Sequence, residues 1–228
     1  MDYAAPKIYA IDIETVSQGK RARDYTDNKP YKLGNVKAED KVKKALEEKR
    51  NEAAAKHGLF WFTGKVVSIA IVDIYGDDEP VCIYGVDEVE ILKKASVYLD
   101  GHKLWGMSSE GFDCPFLIGR YMANDLPIPR SLKAENRLAN DVNKFFGWST
   151  SSSQRGSLAD YIQGLGMEKK PLTGNKVQGI YDTVLAAKME MDEVAEKAAW
   201  KEIIDYNIYD SQVVKEMVIK YNRGYDGN

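Results

Sequence analysis

Histidine and cysteine are scarce, with two of each in 228 residues. His57 and His102 lie far apart in the chain, in no triad or metal-binding pattern, and each is read as a surface or packing residue. Cys82 and Cys114 lack CxxC spacing. That argues against a disulfide framework or a cysteine zinc site and makes a reducing cytoplasm the expected compartment. Charge of one sign is not in excess either: 32 Lys and Arg stand against 35 Asp and Glu, a net charge of −3. A nucleic-acid site must therefore be local, or must draw its positive charge from bound metal. No apolar run approaches membrane-spanning length. The start, MDYAAPKIYAIDIET, has neither the basic beginning nor the apolar core of a signal peptide. The expectation is a cytoplasmic protein with no membrane partner.

What is present suits a globular α/β chain, 44% hydrophobic and 29% charged. Residues 7–14, KIYAIDIE, read as a strand. Residues 18–36 are polar and irregular, and 37–56 are rich in helix formers and read as a helix ended by Gly58. Strand 65–75 and strand VCIYG form a hairpin across GDDEP. An amphipathic helix (87–100), a short strand (103–107) and a helix over 114–125 follow. Next come short pieces around the Ser-rich loop WSTSSSQRGS, a Lys/Gly/Pro loop over 168–180, helix resuming near Asp182, and a helix from about Asp192 to Tyr221. This order predicts a single domain over 1–228: a mixed sheet flanked by helices, with 18–58 inserted as a basic and helical arm after the first strand.

Three elements carry candidate chemistry. Asp12 and Glu14 are two apart on a strand and share a face, away from Ile11 and Ile13. Alone, the pair reads as well as two exposed acids; if close together they repel, and a hard divalent cation with oxygen ligands would offset that. Asp113, in WGMSSEGFDCPFL, is by itself an ordinary first-turn acid ahead of a Pro-opened helix. Asp210, in YNIYD, falls on the stripe Ile203, Tyr206, Asp210, Val213, Met217, and a carboxylate in an apolar stripe needs a cation, hydrogen bonds or a proton. Together, four carboxylates with a tyrosine one turn before the last can hold two cations that activate water and stabilise a leaving 3′-oxygen.

At this point the chain resembles the DEDD 3′–5′ exonucleases, which have a ribonuclease-H-like fold. It is most similar to stand-alone phage and bacterial relatives of the exonuclease domain of family-B DNA polymerases. The resemblance rests on YAIDIET, on GMSSEGFDCPFL against the family's Gly-His-Asn-Ser-x-x-Phe-Asp-x-Pro-Phe-Leu, on YNIYD against Tyr-x-x-x-Asp, and on TGKVVSIAI and SLADYIQGLGMEKK. It covers most of the chain except roughly 18–58. It implies two Mg²⁺ or Mn²⁺ ions. Asp12, Glu14 and Asp210 would hold the nucleophile-side ion, Asp12 would bridge to the second, Asp113 would hold that one through water, and Tyr206 would orient the attacking water. Asp205 stands where the other subtype carries histidine, so the tyrosine subtype (DEDDy) is implied. Ser108 replaces the usual Asn beside the 3′-terminal nucleotide, and Phe112 belongs to the same substrate-binding motif.

The implied substrate is a single-stranded DNA 3′ end, with replication or repair proteins as further partners. RNA trimming is the alternative substrate, and a catalytically silent nucleic-acid or polymerase-binding module the alternative class. Arg21, Arg23 and Lys29 of the arm are candidate phosphate contacts, as are Lys169 and Lys170. Phe60, Trp61 and Phe62 are expected to be core beneath the insertion rather than a surface for bases.

Overall fold

The computed structural model describes residues 6–32, 39–54, 56–146, 157–167 and 176–223. Among them the sheet has five strands in the order β3-β2-β1-β4-β5: β1 Ile8–Ser17, β2 Gly64–Asp73, β3 Val81–Tyr84, β4 Lys103–Gly106 and β5 Ala139–Asp141. β1 pairs antiparallel with β2, and β2 with β3. β1 and β4 are parallel, as are β4 and β5. The expected α/β architecture, a ribonuclease-H-like mixed sheet flanked by helices, is the one observed.

The period-two alternation of β1 divides the molecule. Ile11 and Ile13 enter a core with Ile69 and Ile71 of β2, and with apolar residues of α3 (Glu88–Leu99) and α4 (Asp113–Ala123), among them Leu92, Leu117 and Tyr121. Ala10 and Val16 face the other way, towards α7 (Glu193–Asn222). At 30 residues α7 is about 45 Å long. Asp192 caps it by accepting from the amides of Val194 and Ala195. Among the described residues no helix is both long and apolar enough to cross a membrane.

A buried ion pair ties the α3–α4 side together. Arg120 donates to Glu88 from Nε and Nη2 at 2.9 and 2.6 Å, and Glu88 also accepts from the Val66 amide and from Asn124. Losing either partner would leave an uncompensated charge in the core, which is far more costly than the pair's net worth.

The inserted arm differs from expectation in its first half. Residues Lys20–Asn28 form helix α1 rather than an irregular segment. Its buried face consists of Ala22 and Thr26, and Thr26 Oγ1 hydrogen-bonds His57 Nε2. So small a face, fixed by tertiary contact, leaves no apolar period in the sequence. α2 (Glu39–Ala54) matches the expected narrow stripe, with Val42, Ala45, Leu46 and Ala53 half-buried and most of its surface exposed. Both histidines pack: His57 is buried, and His102 accepts from the Lys7 amide and lies edge-on to Tyr9. Helix α6 (Val177–Glu190) begins earlier than expected, because Val177 and Tyr181 join the core under α7. α5 (Leu158–Gly164) starts at a capping box between Ser157 and Asp160. Most of the Ser-rich loop lies outside the described residues, as do Lys169 and Lys170.

Candidate metal centre

β1 presents Asp12 opposite Ala70 and Glu14 opposite Ser68, and the register slips between Glu14 and Thr15. A bulge of this kind bends a strand and re-aims its side chains beside a site. On its other edge β1 pairs with β4 only from Ile8 as far as Ala10. There the chain turns away through Gly106, where an added Cβ would sit 3.2 Å from the Ile11 carbonyl and 2.7 Å from Ser109 Cβ. The turn continues into α4, whose first residue is Asp113. Because the edge of β1 is open beyond Ala10, the Ile13 amide and the amide of Asp113 itself both favour the charged form of the Asp113 carboxylate. A side chain from the α4 end thus reaches the strand that carries Asp12 and Glu14.

α7 supplies the third side. Ile203, Tyr206, Asp210, Val213 and Met217 are all buried, as the stripe predicts. Asp12, Glu14 and Asp210 each offer a carboxylate oxygen, and these atoms lie within 4.8 Å of one another, a set that could hold a metal ion. Glu14, Asp113 and Asp210 are buried and Asp12 is half-buried.

The electrostatics of the site are those of like charges held out of water. Burial raises the Asp12 carboxyl well above the ordinary range, and the charges of Glu14, Asp113 and Asp210 add to it. Burial likewise pushes Asp113 up to about 7, helped by Asp141 and Asp210 and opposed by the nearby amides of Asp113 and Ile13. The Tyr206 hydroxyl is raised by burial, by Asp210, Glu14 and Asp12, and by its hydrogen bond to Asp210, so it stays protonated at neutral pH. Burial pushes both thiols, Cys82 and Cys114, up to about 12, which favours their protonated form.

Of the residues singled out in the sequence, Asp12, Glu14 and Asp210 form the tight set. Asp113 and Tyr206 border it. Asp205 is exposed and paired with Lys201 on the opposite side of α7. Ser108 takes a left-handed conformation, φ 59°, and its amide donates to Asp141 Oδ1 at 3.1 Å. Phe112 is half-buried against Phe116 at the start of α4. Arg21, Arg23 and Lys29 are exposed on and just after α1. Arg23 lines a groove of about 590 Å³ with Ser17, Gln18, Lys65 and Gln178, where β1 ends. Phe60 and Trp61 are not core: both are exposed, because the segment bearing them lies at the margin of the sheet with α1 covering only part of it.

Sequence reading missed Asn207, Ser68 and Asp141. Asn207 is fully buried and donates from Nδ2 to Asp12 Oδ2 at 2.6 Å. Ser68 Oγ donates to Asn207 Oδ1 at 2.8 Å, and the Cys82 thiol adds a weak 3.9 Å contact to the same oxygen. Asp141 accepts from the amides of Ser108 and Asn143 and so holds the turn before Asp113. The one available signal for Asn207 was its place beside Tyr206 inside YNIYD.

Fold and site together define a class: an α/β, ribonuclease-H-like domain with a buried acidic cluster able to hold a metal ion. No protein-family model matches the chain, and no curated protein does. Among solved structures, the family B DNA polymerase from the hyperthermophilic archaeon Pyrobaculum calidifontis is similar in fold, with a TM-score of 0.50 over 95% of this chain and 14% sequence identity. The chain spans about a quarter of that polymerase, 25% of its length.

Proposed function

We propose that the protein is a metal-dependent 3′–5′ exonuclease that removes nucleotides from the 3′ ends of single-stranded DNA. The observation that carries this reading is the meeting of Asp12, Glu14 and Asp210 within 4.8 Å, with the Tyr206 hydroxyl hydrogen-bonded to Asp210. The motif resemblance to the exonuclease domain of family-B polymerases supports it, as does a fold shared with a family B DNA polymerase. An all-oxygen donor set of buried carboxylates fits Mg²⁺ or Mn²⁺ better than zinc, which favours nitrogen and sulfur. Two such ions, when bound, supply Lewis acidity and lower the pKa of water.

The chain's own groups do the rest. Asp12, Glu14 and Asp210 would hold one cation, and Asp12 and Asp113 would serve the second. Tyr206, protonated at neutral pH, orients the attacking water by hydrogen bonding. Ser108 and Phe112, on the turn into α4, would contact the 3′-terminal nucleotide, as the motif resemblance implies.

The test is cleavage of a 5′-labelled single strand with Mg²⁺, with Mn²⁺ and with chelator. A ladder shortening from the 3′ end, abolished by chelator and slowed by a blocked 3′ terminus, is expected. A matched RNA oligonucleotide separates the DNA reading from RNA trimming. Nicking of circular single strands would point to an endonuclease, and binding without any cleavage to a silent module.

A further inference from the structure

The arm and the segment after it hold an unusual amount of uncovered ring. Leu59 is 56% exposed, Phe60 45%, Trp61 41% and Tyr25 of α1 40%. The rings of Tyr25, Phe60 and Trp61 gather around Phe62. The Phe60 and Phe62 rings stack at 5.4 Å and 18°, Tyr25 meets Phe62 at 5.2 Å, and Trp61 stands edge-on to it at 5.7 Å. Contiguous exposed apolar surface of this kind marks an interaction site rather than chance.

The shelf is held rigidly. The amides of Thr63 and Gly64 donate to the Phe60 carbonyl at 3.0 and 2.6 Å, and Gln18 N donates to Thr63 O at 2.8 Å. Arg120 Nη1 donates to the Trp61 carbonyl at 2.7 Å. The Trp61 side chain lies directly on Gly119 of α4, where any Cβ would overlap its ring. Such preorganisation lowers the entropic cost of binding.

Charge and position select the partner. Lys29 Nζ lies over the Tyr25 ring, 5.6 Å from its centre, and over that of Tyr31 at 6.0 Å, so a cation sits among the rings of the arm. Thr15, the residue after Glu14, donates to the Gly58 carbonyl at 2.6 Å, next to the shelf. Gly119, under Trp61, is six residues along α4 from Asp113, about 9 Å of helix rise. Flat π surfaces bordered by a cation, a short way from a cluster that handles a phosphodiester, suit a chain of unpaired bases on an anionic backbone.

We propose that Tyr25, Phe60 and Trp61 form a stacking shelf for unpaired bases of the strand whose 3′ end enters the acidic cluster, with Lys29 meeting its phosphates. This rests on the nuclease reading above. The test compares the affinity of the intact protein, in Ca²⁺ to suppress cleavage, for a 5′-labelled oligothymidylate and for an abasic strand of equal length and charge. The wild type is expected to bind the base-bearing strand more tightly. Phe60→Ala and Tyr25→Ala should each weaken that binding by about 5- to 20-fold, the lower part of the range for one lost base–aromatic stack, and leave abasic binding unchanged. Phe60→Trp should restore it, whereas a merely structural role for Phe60 would affect both strands alike. Equal wild-type affinity for the two strands, or equal losses on both, overturns the shelf and leaves the patch to a protein partner. A wild type that cuts in Mg²⁺ yet shows no base preference sinks the shelf alone. One that neither cuts nor binds any strand sinks the nuclease reading with it.

Discussion

Asn207 donates its side-chain amide to Asp12 Oδ2 at 2.6 Å, and its own carbonyl is fixed by the Ser68 hydroxyl at 2.8 Å. The link runs from β2 through α7 to β1, so the orientation of one carboxylate depends on three elements at once. The amide opposes the upward shift of Asp12, since a donated hydrogen bond favours the charged form. Asn207→Leu removes the donor at similar volume. It is expected to weaken Mn²⁺ binding by about 10- to 100-fold, as for other supports of metal-binding carboxylates. Isothermal calorimetry on the folded variant measures this, and an unchanged affinity would show that Asp12 needs no such support.

Asp12→Ala and Asp210→Ala should abolish cleavage of an end-labelled strand while leaving the fold intact. Each substitution also relieves repulsion within the buried cluster. The metal-free variants should therefore melt a few degrees higher than the wild type, at about 2–4 °C per kcal/mol for a chain of this size. Near-wild-type cleavage by either variant would remove that residue from the site.

Tyr206→Phe keeps the α7 ring packed in its cluster with Val16, Val67 and Tyr181 and loses only the hydroxyl. If that hydroxyl orients the attacking water as proposed, and binds no cation, single-turnover rates should fall by about 10- to 1000-fold with little change in metal affinity. An unaltered rate argues against a tyrosine-assisted mechanism.

Stability of the metal-free protein should depend on pH in a defined direction. A carboxyl whose folded-state pKa lies above its unfolded value binds extra protons in the folded state, so stability falls as pH rises. Asp113, raised to about 7, and Asp12, raised well above normal, both have this sign. The loss should run from about pH 4, where unfolded aspartate titrates, to about pH 7. Saturating Mg²⁺ should flatten the profile in thermal melts, because the cation replaces the protons. A metal-free melting temperature that rises over this window contradicts the charge clustering.

Arg21, Arg23 and Lys29 are exposed on and just beyond α1. Changing all three to Ala should weaken binding to single-stranded DNA and reduce the salt slope by up to about three phosphate contacts' worth. The rate at saturating substrate should hold. An unchanged slope would assign the arm a purely structural role.

Most of the sheet and the acidic cluster were legible in the sequence because each depends on a short period. Asp12 and Glu14 share a face by strand alternation, and Asp210 occupies a helical stripe whose other members are apolar. Helix α1 was not legible, since its buried face amounts to Ala22 and Thr26 and its docking depends on His57. Phe60 and Trp61 suggested core by composition. Whether a ring is covered depends on where an insertion folds back, which no local pattern encodes. Ser68 and Asn207 are 139 residues apart and meet only through the packing of β2 against α7.

Along α7 the acidic cluster separates two apolar clusters: Ile203 and Tyr206 pack with Val16 and Tyr181, while Val213, Val214 and Met217 pack with Ala10 and Val72. The helix is thus a rod clamped at two points, with mutually repelling charges between the clamps. Hydrogen exchange in the metal-free state should accordingly open α7 from its middle, around Asp210, before its clamped segments yield. A cation bound at the centre would add a third clamp between the two, so occupancy of the site would be felt as stiffness along the whole layer that covers the sheet.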